Sequence, residues 1–103
     1  MKIVGVSACT VGIAHTYIAQ EKIENAAKKL GDDVKVETQG TIGIENELTK
    51  EEIQDADIVL LAVDVKISGE ERFEGKKVVK VSTEVAIKSP NKLVAKLHEV
   101  AGS

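Results

Sequence analysis

Ile3-Val4-Gly5-Val6-Ser7-Ala8-Cys9-Thr10-Val11-Gly12-Ile13-Ala14-His15-Thr16 is the stretch that decides how this chain folds. The run Ile3-Val4-Gly5-Val6 is apolar on consecutive positions and reads as a buried strand. Helical spacing of apolar residues begins as the stretch ends, and the turn between holds Cys9, the only cysteine of the chain. Unpaired backbone N–H groups converge at such a turn, and the helix dipole is positive there. That environment favours the thiolate over the thiol. It also binds a phosphoryl group, because free N–H groups and the dipole both attract anions. The stretch therefore predicts a cysteine that attacks phosphorus and then carries the phosphate. The competing reading of Cys9 is an inert small side chain at a strand end.

Working outward, residues 2–7 form the first strand, of the kind covered on both faces in a parallel sheet. Gly12 gives the turn at 9–13 backbone freedom where an anion approaches. Over 14–30 the apolar residues Ala19, Ile23, Ala26, Ala27 and Leu30 recur at helical spacing, with Glu21, Lys22, Glu24, Lys28 and Lys29 outside and Gly31 as the stop. Residues 33–38 alternate, Val34 and Val36 against Lys35 and Glu37, which predicts a half-exposed strand near a sheet edge. The glycine-containing segment 39–47 reads as a loop. Thr49 and Glu52 form a capping box that opens a short helix ending near Ala56. Residues 57–63 are the most apolar run and predict a central strand, with Asp64 at its carboxyl end. A polar connection over 65–75 leads to a fourth strand at 77–81. Ser82 and Thr83 cap a brief helical turn, and Ser89 caps a last helix with Pro90 at its first position.

This alternation predicts a single α/β domain over residues 1–103, a layered sandwich with a mainly parallel sheet. In such sheets ligands bind outside the carboxyl ends of the strands. The Cys9 turn, residues 38–40, Asp64 and Ser82-Thr83 meet at that rim. At 103 residues roughly 60–70% of the unfolded chain's surface can be buried, enough for a core without disulfide or metal. One cysteine permits no internal disulfide and fits a reducing compartment. The apolar runs are too short to span a bilayer and no signal-peptide pattern opens the chain, so a soluble, cytoplasmic protein is expected. A net charge of −3, with Tyr17 and Phe73 as the only Phe, Tyr or Trp residues, argues against nucleic-acid binding. Two well-separated histidines argue against a structural metal site.

Ala8-Cys9-Thr10-Val11-Gly12-Ile13-Ala14-His15-Thr16 resembles the phosphorylation loop of the fructose-type enzyme IIB of the bacterial phosphoenolpyruvate-dependent sugar phosphotransferase system (PTS). Val36-Glu37-Thr38-Gln39-Gly40, continued by Ile42-Gly43-Ile44-Glu45-Asn46-Glu47-Leu48-Thr49, resembles the family's second signature. Weaker likenesses are Ala62-Val63-Asp64, Glu71-Arg72-Phe73-Glu74-Gly75 and Ala86-Ile87-Lys88. The resemblance implies a sandwich with a four-stranded parallel sheet, order 2-1-3-4, and helices on both faces. It implies that Cys9 accepts a phosphoryl group from a phosphohistidine of enzyme IIA and passes it to a sugar held by the membrane enzyme IIC during import. Fructose 1-phosphate is the usual product in such systems, and no metal or organic cofactor is expected. Association with the membrane would come through enzyme IIC. One departure stands out: the family usually has Pro and Thr directly after the cysteine, where this chain has Thr10 and Val11. Loss of the proline frees the unbound loop by about 0.4–1 kcal/mol. Thr10 supplies a hydroxyl one step earlier than the family's threonine, and activity is expected to survive.

The other site candidates each have two readings. Thr10, Val11, Gly12, Ile13 and Ala14 would hold phosphate through backbone N–H groups, which plain helix entry also requires. His15 is a cation beside the sulfur, or a helix-surface side chain bonded to backbone. The Thr16 hydroxyl turns back to the sulfur or the loop, or serves only the first helical turn. Glu37 and Gln39 support the loop or meet partner proteins. Asn46 and Glu47 stabilise their own turn. Asp64 holds the loop without a chemical role, since an acid beside the sulfur would repel a phosphoryl group. Arg72 forms a local solvated pair with Glu70, Glu71 or Glu74 rather than a phosphate clamp. A cysteine phosphatase is the rival enzyme, but its loop reads Cys-x5-Arg, and here His15 holds the arginine position. A regulatory module that senses phosphorylation is the rival outside catalysis.

Overall fold

The computed structural model describes residues 1–9, 13–40 and 43–102, with Ile13 described by its backbone. The chain runs β1 (Lys2–Ala8), α1 (Ile13–Lys29), β2 (Asp33–Gly40), β3 (Gly43–Glu45), α2 (Lys50–Asp55), β4 (Ile58–Val63), a 3-10 turn (Glu70–Phe73), β5 (Val78–Val81), α3 (Thr83–Lys88) and α4 (Pro90–Ala101). β1 lies inside the sheet, parallel to β2 and β4, and β5 pairs parallel with β4. The sheet order is β3-β2-β1-β4-β5.

This corrects the expectation of four parallel strands. The sheet has five strands and is mixed, because β3 returns antiparallel along β2, pairing Thr38 with Glu45 and Gln39 with Ile44. Most of the segment expected to be a loop is therefore strand: β2 continues to Gly40, and Gly43 to Glu45 form its partner. Among the parallel strands alone the sequence of neighbours is β2-β1-β4-β5. Gly43 at φ +107° and Asn46 at φ +55° place the two ends of β3 in backbone conformations that glycine and asparagine tolerate best.

The period-2 alternation of strand side chains feeds two cores. Ile3, Val36, Ile58, Leu60 and Ala62 face α1, α3 and α4, where they meet Ala19, Ile23, Ala86, Val94 and Leu97. Val4, Val6, Ala8, Val59, Leu61 and Val63 face the opposite side, where α2 and the 3-10 turn supply Ile53 and Phe73. Both faces of β1 and β4 are covered, which is why these strands are apolar on consecutive positions, from Ile3 to Val6 and from Ile58 to Val63. Gly5 sits where a Cβ would lie 2.9 Å from the Leu60 carbonyl oxygen, so only glycine fits there without a shift.

Helix boundaries follow local chemistry. α1 ends at Lys29 and is closed off by Gly31, whose φ of +79° lets the Asp32 N–H return to the Ala27 carbonyl. Leu30, expected on the buried face, lies past the helix end and is 56% exposed. The capping box of α2 is complete: Thr49 Oγ1 accepts from Glu52 N–H, and Glu52 Oε1 accepts from Thr49 N–H. Ser82 caps α3 through the Val85 N–H. Ser89 precedes Pro90 as expected, but its side chain makes no capping bond, since its backbone is already bound as the C-cap of α3.

Candidate functional site

Strand register builds the site. Ala8 is the last residue of β1 and pairs with Val63, the last of β4. The Asp64 N–H continues the ladder to the Ala8 carbonyl at 2.9 Å. The next side chains, Cys9 and Asp64, therefore leave the sheet beside each other at its carboxyl edge. β5 ends one pairing earlier, at Ala62–Val81, so that Ser82 and Thr83 follow onto the same rim. α1 is tied down by the buried Ser7 hydroxyl, which donates to the Thr16 carbonyl at 2.9 Å. That bond holds the first turn of α1, and with it His15, against the end of β1.

Four side chains meet there. The Cys9 thiol donates to Asp64 Oδ2 at 3.0 Å. His15 Nδ1 lies 3.2 Å from Cys9 Sγ and 3.2 Å from Thr83 Oγ1. The Thr83 hydroxyl donates to Asp64 Oδ2 at 2.5 Å, and the Thr83 N–H donates to Oδ1 at 3.0 Å. With the thiol and hydroxyl hydrogens both directed at Asp64, the Nδ1 nitrogen of His15 is left as the donor to sulfur and hydroxyl oxygen. The bond from Thr83, against the opposing effect of burial, holds the Asp64 carboxyl below the usual carboxylate range, and the Cys9 thiol and His15 add to this. A cleft of about 500 Å³ opens onto the group between His15, Asp64, Thr83 and Ile87. Cys9 itself is 9% exposed. Cys9 Sγ, a His15 ring nitrogen and an Asp64 carboxylate oxygen all lie within 4.8 Å of one another, and among the described residues they are the set able to hold a metal ion.

The expectations for individual residues fare differently. His15 reaches the sulfur. Asp64, set aside because an acid there would oppose a phosphoryl group, stands directly against it. Thr83 was read only as a cap on the rim, and it is the residue that orients Asp64. The signal for both was their place after two strands whose carboxyl ends form the binding edge. Thr16 is 2% exposed, and its hydroxyl has no hydrogen-bond partner among the described residues. Thr10, Val11 and Gly12, together with the Ile13 side chain, lie outside the described residues.

Glu37 and Gln39 are engaged elsewhere. Glu37 is fully buried, although alternation put it on the exposed side of β2. Arg72 spans its carboxylate, Nη1 to Oε1 at 2.9 Å and Nη2 to Oε2 at 3.0 Å. The Leu48 N–H and Gln39 Nε2 complete its bonds at 3.0 and 2.7 Å. Burial pushes this carboxyl up, but the bonds from Arg72, Gln39 and Leu48 outweigh it and leave it below the ordinary range. Gln39 also exchanges two bonds with the Ser68 backbone. The expected local pairing of Arg72 with its glutamate neighbours is thus replaced by a partner 35 positions away, and the cluster fastens the 65–75 connection to β2. Asn46 reaches the Val36 carbonyl, closing the end of β3 against β2.

Residues 4–96 match the family described as "PTS system, Lactose/Cellobiose specific IIB subunit". The chain is 51% identical over 97 residues to the "PTS system fructose-like EIIB component 2" of Escherichia coli (strain K12), covering 94% of this chain and 92% of that protein. A crystal structure of a domain from the fructose-specific IIABC component of Borrelia burgdorferi is 57% identical and superimposes with a TM-score of 0.89, covering 99% of this chain and 94% of that one. The solution structure of an enzyme IIB subunit of the PTS from Escherichia coli K12 is 37% identical with a TM-score of 0.92, covering 98% and 94%. With two signatures in its sequence, the sheet that carries them and relatives matched along nearly its whole length, the chain belongs to the fructose-type enzyme IIB family, the phosphoryl-transfer components of the bacterial sugar phosphotransferase system.

Proposed function

We propose that residues 1–103 act as one phosphocarrier domain in which Cys9 receives a phosphoryl group from a phosphohistidine of an enzyme IIA and delivers it to a sugar bound by a membrane enzyme IIC. The observation that supports this most directly is the placement of Cys9 Sγ between His15 Nδ1 at 3.2 Å and Asp64 Oδ2 at 3.0 Å. As sulfur attacks phosphorus, the S–P bond forms and the P–N bond of the donor histidine breaks. The thiol proton leaves by way of Asp64, the acceptor it already faces, to the departing imidazole nitrogen of the donor. His15 Nδ1–H and the N–H groups of residues 10–14 would hold the phosphoryl oxygens, and the Thr16 hydroxyl, unpartnered among the described residues, is available to the loop. Catalysis on this reading is positioning and electrostatics.

Relatives named as fructose-like or fructose-specific components support a fructose-like sugar, and the IIABC source of the Borrelia burgdorferi domain supports IIA and IIC as partners. Among the described residues no helix is long and apolar enough to cross a membrane. On this reading the sugar site belongs to enzyme IIC. A phosphatase reading gains an acid in Asp64 but not an arginine clamp: Arg72 is the only arginine of the chain, and both its terminal nitrogens are spent on Glu37. The test is intact mass after incubation with phosphoenolpyruvate and the upstream carriers, next to Cys9→Ser. One phosphate on the wild type alone, stable without sugar, supports the reading. Steady release of inorganic phosphate with no adduct would replace it with hydrolysis.

A further inference from the structure

Cys9, His15 and Asp64 offer one thiol sulfur, one imidazole nitrogen and one carboxylate oxygen, drawn from the end of β1, the first turn of α1 and the end of β4. Zinc takes these three donor types, and a catalytic-type zinc site uses three protein ligands with a fourth position open. Tetrahedral zinc with bonds of about 2.0–2.3 Å places its donors roughly 3.3–3.7 Å apart. Here Sγ lies 3.2 Å from Nδ1 and 3.0 Å from Oδ2, so these two pairs need separate by only about half an ångström, and all three donor atoms already lie within 4.8 Å of one another. The carboxylate is already oriented. Thr83 grips it with N–H to Oδ1 and hydroxyl to Oδ2, the outer bonding that fixes metal-binding carboxylates. The approach is also present, since the cleft between α1 and α3 reaches His15 and Asp64 from solvent.

We propose that this triad is a zinc-binding site whose occupation excludes phosphoryl transfer. Zinc binds Cys9 Sγ, His15 Nδ1 and one Asp64 oxygen, with water in the fourth position. The thiol proton is released to solvent, and the His15 ring proton moves to Nε2 by exchange with water. No electron is transferred. The sulfur lone pair that would attack phosphorus is then held in the Zn–S bond. The soft sulfur ligand and nitrogen donor select zinc over magnesium or calcium, which require oxygen ligands. Binding itself does not depend on the phosphocarrier reading, whereas the exclusion of phosphate rests on it.

The experiment uses the whole chain freed of metal by a chelator. Zinc is titrated in competition with a chromophoric chelator, and cobalt(II) is used as the spectroscopic probe. Variants are Cys9→Ser, His15→Gln, Asp64→Asn and, as a control, His98→Gln, whose histidine is bonded instead to Asp32 at 2.6 Å. Each variant is first checked for a cooperative thermal transition. The expected result is one zinc per chain and a sulfur-to-cobalt charge-transfer band that Cys9→Ser abolishes. His15→Gln and Asp64→Asn should each weaken zinc by more than about tenfold, and His98→Gln should leave it unchanged. Absence of the band, or wild-type affinity in both His15→Gln and Asp64→Asn, overturns the site. In a second arm, zinc-loaded protein should gain no phosphate from the upstream carriers until chelator is added. Equal phosphorylation with zinc bound overturns the exclusion. Failure of the metal-free protein to gain phosphate would sink the phosphocarrier reading and leave the binding arm to decide the zinc site.

Discussion

Replacing Arg72 by methionine removes a buried charge partner and keeps the apolar stem of the side chain. Glu37 is fully buried and accepts four hydrogen bonds, two of them from Arg72. Removing one member of a buried pair costs about 3–5 kcal/mol, because the other charge is left uncompensated. Gln39 and Leu48 still serve the carboxylate, and the Arg72 side chain is 24% exposed, so water can replace part of the loss. The cost should fall at the low end, about 3 kcal/mol, which for a domain of this size lowers the melting temperature by roughly 12–24 °C. The pH dependence should change too. In the wild type the folded carboxyl is depressed, so its contribution is present above the ordinary glutamate value of about 4.3 and is lost as pH falls through the lower folded value. Without Arg72, burial governs and this acid limb flattens. Adding Glu37→Gln to Arg72→Met should restore stability, since it removes the stranded charge. Urea unfolding followed by circular dichroism, with slopes compared, measures the wild type and both variants. A loss below about 1 kcal/mol for Arg72→Met, the range of an exposed pair, would refute the reasoning.

Gly5→Ala should destabilise by about 1–3 kcal/mol, because its methyl meets the Leu60 carbonyl at 2.9 Å in the middle of the sheet; a chemical melt that matches the wild type would contradict this. Glu52 is held down to about 2, first by the Lys35 ammonium and then by the Thr49 N–H. Its contribution is complete above pH about 4.5 and disappears as pH falls towards 2, and Lys35→Met should remove about 1 kcal/mol of that acid-sensitive stability in melts across this window. Thr83→Val keeps the N–H bond to Asp64 Oδ1 and loses the hydroxyl bonds to Oδ2 and His15. Phosphoryl acceptance, timed by quenched intact mass, should slow roughly 10- to 100-fold with the melt little changed.

Local pattern made much of the fold legible. Consecutive apolar residues at 3–6 in β1 and 58–63 in β4 announce strands covered on both faces, and both cores bear that out. Thr49 with Glu52, and Gly31, mark helix ends through bonds made within five residues, the range over which sequence speaks for itself. What stayed hidden depends on distant partners. Alternation put Glu37 on an exposed face because nothing in residues 33–38 reveals that Arg72 will cover it. β3 escaped notice because its three residues, Gly43 to Glu45, have too little period to read, and it exists only as a partner to β2. Asp64 was located but judged by charge alone. Its hydrogen bond from Cys9 and its two hydrogen bonds from Thr83 come from register between strands that meet only in the folded sheet.

The central claim is that Cys9 is the phosphoryl acceptor, and intact mass of wild type and Cys9→Ser after exposure to the phosphorylated upstream carrier tests it most directly. The account predicts one phosphate on the wild type, none on Cys9→Ser, and loss of that phosphate when enzyme IIC and a fructose-like sugar are added. A phosphate on both proteins would contradict it and move the acceptor to another side chain, with His15, 3.2 Å from the sulfur, the next nucleophile to test.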